Sequence, residues 1–164
     1  MEFEVTEHIA APRSAIEEAL TNDDYYASLE GTLGNLDRPA LLLAERSETR
    51  ICTDVRYAFT GSVSGALRMA VNPDKLTWVI RTEIDLRTHI GTFVVIPDHY
   101  QGLLSCAGRL TFTEGSQSTT ETVTGSLQVN VPFVGSSAER TILEAFSRHL
   151  GSEAEALSAF CGLL

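Results

Sequence analysis

The sequence predicts an α+β fold: a curved, seven-stranded antiparallel sheet with two short helices after its first strand and a long C-terminal helix packed on the concave face. Three observations carry this. Between Ala40 and Asn130 apolar and polar residues alternate with a period of two, as half-buried strands require. After Pro132 the apolar residues Ile142, Leu143, Phe146, Leu150 and Leu157 fall at helical spacing instead. A sheet of this size cannot leave an apolar face in water, and only the C-terminal helix is long enough to cover it.

Phe3, Val5 and Ile9 alternate with Glu4, Thr6 and His8, which predicts a first strand over about 2–10, ended by Ala11-Pro12. Two short helices follow. In the first, Ile16, Ala19 and Leu20 share a face, and Pro12 stands near the start, where its missing N–H costs nothing. Thr21 or Asn22 can cap the second, Asp23 and Asp24 complement its dipole, and Tyr25, Tyr26 and Leu29 anchor it. Gly31 and Gly34 release the chain. Six more strands are predicted at about 40–48, 50–60, 76–85, 89–96, 102–113 and 118–130. Asn72-Pro73-Asp74, Pro97-Asp98 and Glu114-Gly115-Ser116 supply turn chemistry between them. Gly61 to Val71 reads as a small-residue connection of no assigned conformation. Ser136 and Glu139 form a capping-box signature that places the last helix's start, Gly151 marks a kink or break, and the helix runs toward Phe160.

A chain of 164 residues, 43% hydrophobic and 21% charged, suits one globular domain spanning 1–164. Its net charge of −10, with few and scattered basic residues, argues against nucleic-acid or anionic-membrane partners. The acidic, alternating opening Met1-Glu2-Phe3-Glu4 does not resemble a signal peptide. Apolar stretches such as Phe93 to Ile96 fall far short of the ~20 residues of a membrane span. Cys52, Cys106 and Cys161 are odd in number and widely spaced, which points to reduced thiols in a cytoplasmic protein. Oligomeric state does not follow from the residues.

Parity assigns the strand faces. Ile51, Thr53, Val55, Tyr57 and Phe59 share one face of strand three; Leu76, Trp78, Ile80, Thr82 and Ile84 share one face of strand four. Leu104, Cys106, Leu110 and Phe112 do so in strand six, and Val123, Leu127, Val129 and Val131 in strand seven. These apolar sets are predicted to be concave. Polar groups there are few: Tyr57, Thr53 and Thr82 near the middle, Glu45 and Glu121 toward strand ends. Such a surface suits a pocket for a small apolar ligand, lined by Tyr57, Phe59, Trp78, Thr82, Leu104, Cys106, Leu143, Phe146 and Leu150. A filled core, with Trp78, Tyr57 and Phe146 simply packed, is the competing reading.

Metal and nucleophile sites find no support. His8, His89, His99 and His149 show no ligand spacing, and Asp98-His99 reads as an exposed loop pair. Cys106 reads as a buried, inert thiol. Gly61-Ser62-Val63-Ser64-Gly65 lacks the central serine of a hydrolase elbow, and no Gly-rich phosphate loop occurs, so no cofactor, metal or catalytic residue is expected. Arg56, Arg81, Asp54 and Glu83 read as a solvated convex face with cross-strand pairs.

The element order, with four segments, resembles the START-like superfamily, which includes the birch-pollen allergen and polyketide cyclase-like proteins, and within it a mainly actinobacterial family of uncharacterised members. The segments are Ala11-Pro12-Arg13; Leu20-Thr21-Asn22-Asp23 with Tyr25-Tyr26; Pro73-Asp74-Lys75-Leu76-Thr77-Trp78; and Val129-Asn130-Val131-Pro132-Phe133-Val134-Gly135 leading into Glu139. The resemblance implies the helix-grip fold and binding of an apolar ligand, and brings no catalytic residues. The expected function is therefore a binding protein or carrier for a small hydrophobic molecule, lipid-like or aromatic, held between sheet and helix. The alternatives are a cyclase/aromatase-like enzyme using the same cavity and a cavity-less domain acting through a protein partner. The face assignment leaves Tyr57 as the only central titratable group, which favours binding. A largely uncharged ligand is expected, oriented by Tyr57 first and Thr82 second, because no central Arg or Lys is present to hold an anion.

Overall fold

The first strand and the second end up at opposite edges of one sheet. In a computed structural model describing residues 1–34, 36–61, 65–68, 71–132 and 135–162, β1 (Glu2–Ile9) forms one edge. Helices α1 (Arg13–Ala19) and α2 (Asp23–Ser28) then carry the chain across to β2 (Leu36–Arg46) at the other edge. β3 (Arg50–Phe59), β4 (Thr77–Asp85), β5 (Ile90–Pro97), β6 (Leu104–Glu114) and β7 (Thr119–Val129) step back until β7 pairs with β1. All pairings are antiparallel, in the order β1-β7-β6-β5-β4-β3-β2. A four-residue helix, α3 (Gly65–Arg68), lies in the long connection before β4, and the chain closes with α4 (Gly135–Cys161).

Local chemistry explains most boundaries. Asn22 caps α2 by accepting the Asp24 N–H at 2.9 Å, and Pro12 stands just before α1 with its carbonyl taking the Ala15 and Ile16 N–H groups. Asn72 caps a short 3-10 turn over Pro73–Lys75 in the same way, at 3.0 Å. The rest of the Gly61–Val71 reading falls partly on residues 62–64 and 69–70, and Phe133-Val134 of the quoted segment also lies outside the described residues.

Two expectations for α4 are corrected. Glu139 does not close a capping box with Ser136: its Oε1 accepts the Val129 N–H at 3.0 Å, and its carboxylate lies 3.7 Å from the Met1 amine, tying the helix start to β7 and the N-terminus. Gly151 does not break the helix, since α4 is helical on both sides of it. The residue instead leaves room for a side chain from β1. A methyl group there would touch the Glu7 carboxylate at 3.6 Å.

Curvature has two visible sources. In β2 the register with β3 shifts between Asp37 and Ala40 and again between Leu41 and Leu43, and such bulges bend and twist a strand. Gly108 and Gly125 face each other across β6 and β7; a Cβ at either would meet the Phe93 ring at 2.7 Å or the Phe3 ring at 2.8 Å. Lacking side chains, the two glycines let these rings lie across the sheet, as aromatic rings do over strand glycines.

Candidate functional site

The concave surface has a sealed end and an open end. Around the β1 C-terminus, Ile9, Ile16, Leu29, Ile51, Ile84, Phe112 and Leu157 are buried beneath α1, α2 and the C-terminal turns of α4. Ser158 and Thr119 fix this end by bonding backbone groups of Ala10 and Ala11, both at 2.9 Å. At the opposite end, Trp78, Ile80, Val95 and Leu104 from the sheet, with Ile142, Leu143 and Phe146 from α4, border the core but stay only half-buried. The α4 backbone runs nearest β1, β7, α1 and α2, at one side of the sheet, and meets β3 and β5 through the side chains of Glu153, His149 and Phe146.

Between the two ends lies a belt of buried polar groups. Tyr57 on β3, 4% exposed, donates its hydroxyl to Glu153 Oε1 at 3.0 Å. His149, one turn earlier on α4 and 5% exposed, places Nε2 3.3 Å from Glu153 Oε2, so both carboxylate oxygens are engaged. Its ring packs edge-on to Tyr57, centroids 5.3 Å apart, while Tyr57 stacks on Trp78 at 6.4 Å. Across the sheet Glu7 and Glu121 are register partners of β1 and β7 on the same inward face. Burial, reinforced by the charges of Glu153 and Glu7, pushes the Glu121 carboxyl up to about 8. Tyr25 completes the belt from α2. It is 1% exposed, its hydroxyl has no hydrogen-bond partner, and burial with the neighbouring Glu153, Tyr26 and Glu121 pushes its pKa far above the ordinary value. His149 Nδ1 is likewise buried and unpartnered.

The nine residues expected to line a pocket are distributed along this axis. Trp78, Leu104, Leu143 and Phe146 stand at the open end, with Phe59 and Thr82 also half-buried and Tyr57 in the polar belt. Cys106 and Leu150 are buried, and burial raises the Cys106 thiol to about 11, as suits an unreactive cysteine. Trp78 takes the predicted face but is half-buried rather than largely buried, because α4 stands off β4.

Three readings change. Glu45 is exposed and pairs with Cys52, outside the concave set, because the shift between Leu41 and Leu43 reverses the parity of β2 beyond it. Tyr57 is not the only central titratable group, since Glu153 accepts its hydroxyl, His149 packs on its ring and Tyr25 lies near, with Glu7 and Glu121 on the same inward face at β1 and β7. Nor is its hydroxyl free to orient a ligand, being bound by Glu153. The missed pair carried a signal: His149 and Glu153 are four residues apart and sit three residues beyond Phe146 and Leu150 on the apolar stripe of α4. Glu7 was visible as the odd-numbered residue between Val5 and Ile9.

Away from the belt, Glu17 on α1 is 4% exposed and meets His89 Nδ1 at 2.6 Å, while Arg46 bonds its carbonyl at 2.8 Å, latching α1 onto the sheet end. On the convex face Arg81 makes a two-pronged pair with Asp54 at 2.7 and 2.8 Å, which holds the Asp54 carboxyl below its usual range. Arg56 and Thr77 share Asp98. Among the described residues no group of three or more His, Cys, Asp or Glu is placed to hold a metal ion, and no helix is long and apolar enough to cross a membrane.

The chain belongs to the family described as "Protein of unknown function (DUF2505)", whose model matches residues 4–161. No curated protein matches it. Among solved structures it is similar to the protein TTHA0849 from Thermus thermophilus, with a TM-score of 0.66 at 13% identity, covering 99% of this chain and 98% of that one. A START superfamily protein from Mycobacterium smegmatis aligns with a TM-score of 0.54 at 15% identity, over 99% and 97% of the two chains. The di-domain ARO/CYC StfQ from the steffimycin biosynthetic pathway gives 0.54 at 13% identity, over 95% of this chain and 44% of that one. These likenesses establish the helix-grip fold.

Proposed function

We propose that this member of the DUF2505 family binds or carries a small hydrophobic molecule between its concave sheet and α4. The observation that carries this is the unequal covering of the concave face. Trp78, Ile80, Val95, Leu104, Leu143 and Phe146 border the core yet keep accessible surface, whereas the same face at the other end is fully buried. Apolar side chains that keep open surface opposite a covering helix suit a ligand cleft, with apolar walls and a few polar groups at its inner end. Tyr57, Phe59, Trp78, Thr82, Leu104, Cys106, Leu143, Phe146 and Leu150 are its proposed lining.

Trp78 is the only tryptophan in the chain, so it reports on the cleft directly. Titration with the neutral probe N-phenyl-1-naphthylamine should quench its fluorescence saturably, with one-to-one stoichiometry. Phe146→Ala should alter the affinity. No saturable change in either Trp78 or probe emission would refute the proposal.

A second reading, acid–base catalysis of the cyclase/aromatase kind, is favoured by the Tyr57–Glu153–His149 array, in which one carboxylate lies within reach of both a phenol and an imidazole. A linear poly-β-ketone analogue distinguishes the two. Cyclised product that disappears with Glu153→Gln supports catalysis, and binding without turnover supports carriage.

A further inference from the structure

We propose that Glu7, Glu121 and Glu153, grouped with Tyr25, Tyr57 and His149 at the inner end of the cleft, form a head-group site for a hydrophobic ligand carrying a protonated amine. This rests on the hydrophobic-binding reading and names its ligand class.

The acidic side chains come from three elements that face the same interior. Glu7 and Glu121 are paired on the inward face of β1 and β7, and Glu153 points from α4 toward Tyr57 on β3. The Glu7 carboxylate reaches the helix beside Gly151, the position where α4 has no side chain to obstruct it. Among the described residues no lysine or arginine pairs with any of the three. The arginines form their ion pairs elsewhere, Arg13 with Glu114, Arg50 with Glu83, Arg56 with Asp98, Arg81 with Asp54 and Arg87 with Asp85.

Drawing carboxyl groups inward without a cation is costly, and this fold does it while leaving hydrogen-bonding capacity unused beside them. Among the described residues the Tyr25 hydroxyl, 1% exposed and near Glu153 and Glu121, has no partner, nor has His149 Nδ1. A ligand ammonium supplies what is missing: positive charge for the carboxylates and donors for the open acceptors. A metal ion fits less well, because no three ligating side chains converge among the described residues. A carboxylate or phosphate head would meet like charge. The apolar body of the ligand would extend past Tyr57 and Trp78 toward Leu104 and Phe146.

The test compares n-decylamine, n-decanol and n-decanoate, followed by Trp78 fluorescence and calorimetry at neutral pH. Decylamine should bind at least about tenfold more tightly than decanol, the worth of one charge-assisted hydrogen bond, and decanoate should bind most weakly. Glu153→Gln at neutral pH, and Glu121→Gln in a parallel titration above about pH 8 where its carboxyl is ionised, should each draw the amine-to-alcohol ratio toward one, while Glu48→Gln, on the exposed β2–β3 turn, should leave it unchanged. If Glu153→Gln fails to fold, Glu121→Gln above about pH 8, where the wild-type carboxyl is ionised, decides. Equal binding of amine and alcohol overturns the head-group site and leaves the hydrophobic cleft standing. Loss of the preference in Glu48→Gln also overturns it, by assigning the effect to surface charge. Failure of all three probes to bind overturns both readings.

Discussion

Glu121→Gln should change how stability depends on pH, in a direction fixed by where the carboxyl lies. Folded, Glu121 keeps its proton up to about 8; a glutamate in the unfolded chain loses it near 4.5. Between those values the folded state holds the extra proton, so this group's contribution is complete below 4.5 and is lost as the pH rises through about 8. The slope is at most about 1.4 kcal/mol per pH unit, so wild type should lose about 2–3 kcal/mol between roughly pH 5.5 and 7.5 on account of this one group. Glutamine copies the neutral carboxyl and cannot ionise. The variant should match wild type below about pH 4.5, and its lead should grow by about 2–3 kcal/mol between roughly pH 5.5 and 7.5. Urea unfolding across that range measures both curves, and their difference removes every other titrating group. Adding Glu153→Gln, which removes a charge that raises the Glu121 pKa, should flatten the wild-type slope in the upper part of the window. Parallel curves for wild type and Glu121→Gln would refute the buried, protonated carboxyl, and a variant weaker than wild type near neutral pH would show a paired carboxylate instead.

Other variants probe the remaining parts. Phe146 meets Phe3 edge-on at 5.5 Å and Phe93 at 6.3 Å but is half-buried, so Phe146→Ala should cost about 2 kcal/mol by denaturant unfolding, below the ~3–5 kcal/mol of a sealed aromatic; a loss in that upper range would indicate a filled core. Gly151→Ala adds a methyl at ordinary contact distance, 3.6 Å from Glu7, and should stabilise α4 by up to about 1 kcal/mol in thermal melts; destabilisation would mean the Glu7 carboxylate lies closer. Glu17→Gln, which disrupts the 2.6 Å contact to His89 under a buried helix, should cost about 1–3 kcal/mol by the same measure, and a neutral result would show that the latch does not hold α1.

Much of this architecture was readable from periodicity. The seven strands, both short helices and the long final helix all occur, because each alternation or helical stripe reflects a face that must be buried. What failed did so for identifiable reasons. Parity carried Glu45 inward because a bulge adds a residue without leaving a mark in the alternation of Leu41, Leu43 and Glu45. Gly151 read as a helix defect because glycine disfavours a helix interior, yet α4 runs through it. The polar belt was missed for a related cause. His149 and Glu153 lie on an amphipathic helix among charged neighbours, where a titratable residue reads as solvated, and only the packing of α4 against β1 and β7 turns them inward. Tyr25 read as an anchor for α2. Its ring does pack on Tyr26 and Phe160, but no feature of the sequence reveals that its hydroxyl ends without a partner.

That unpartnered hydroxyl separates two tyrosines that sequence alone would treat alike. Tyr57 satisfies its hydroxyl on Glu153, so Tyr57→Phe removes a donor from a largely buried carboxylate and should destabilise the empty protein by about 1–3 kcal/mol. Tyr25 has no bond to lose, and a buried polar atom without a partner is itself unfavourable, so Tyr25→Phe should leave the empty protein equally stable or raise its stability by about 1 kcal/mol. Ligand binding should reverse the order. The free hydroxyl at position 25 is available to a bound head group, whereas that of Tyr57 is already committed to Glu153. Tyr25→Phe should therefore weaken decylamine binding by about 0.5–1.5 kcal/mol while its melting temperature holds or rises. Paired melts and titrations of the two variants decide the matter: a Tyr25→Phe protein that melts well below wild type and binds unchanged would show that the hydroxyl has a structural partner and no ligand role.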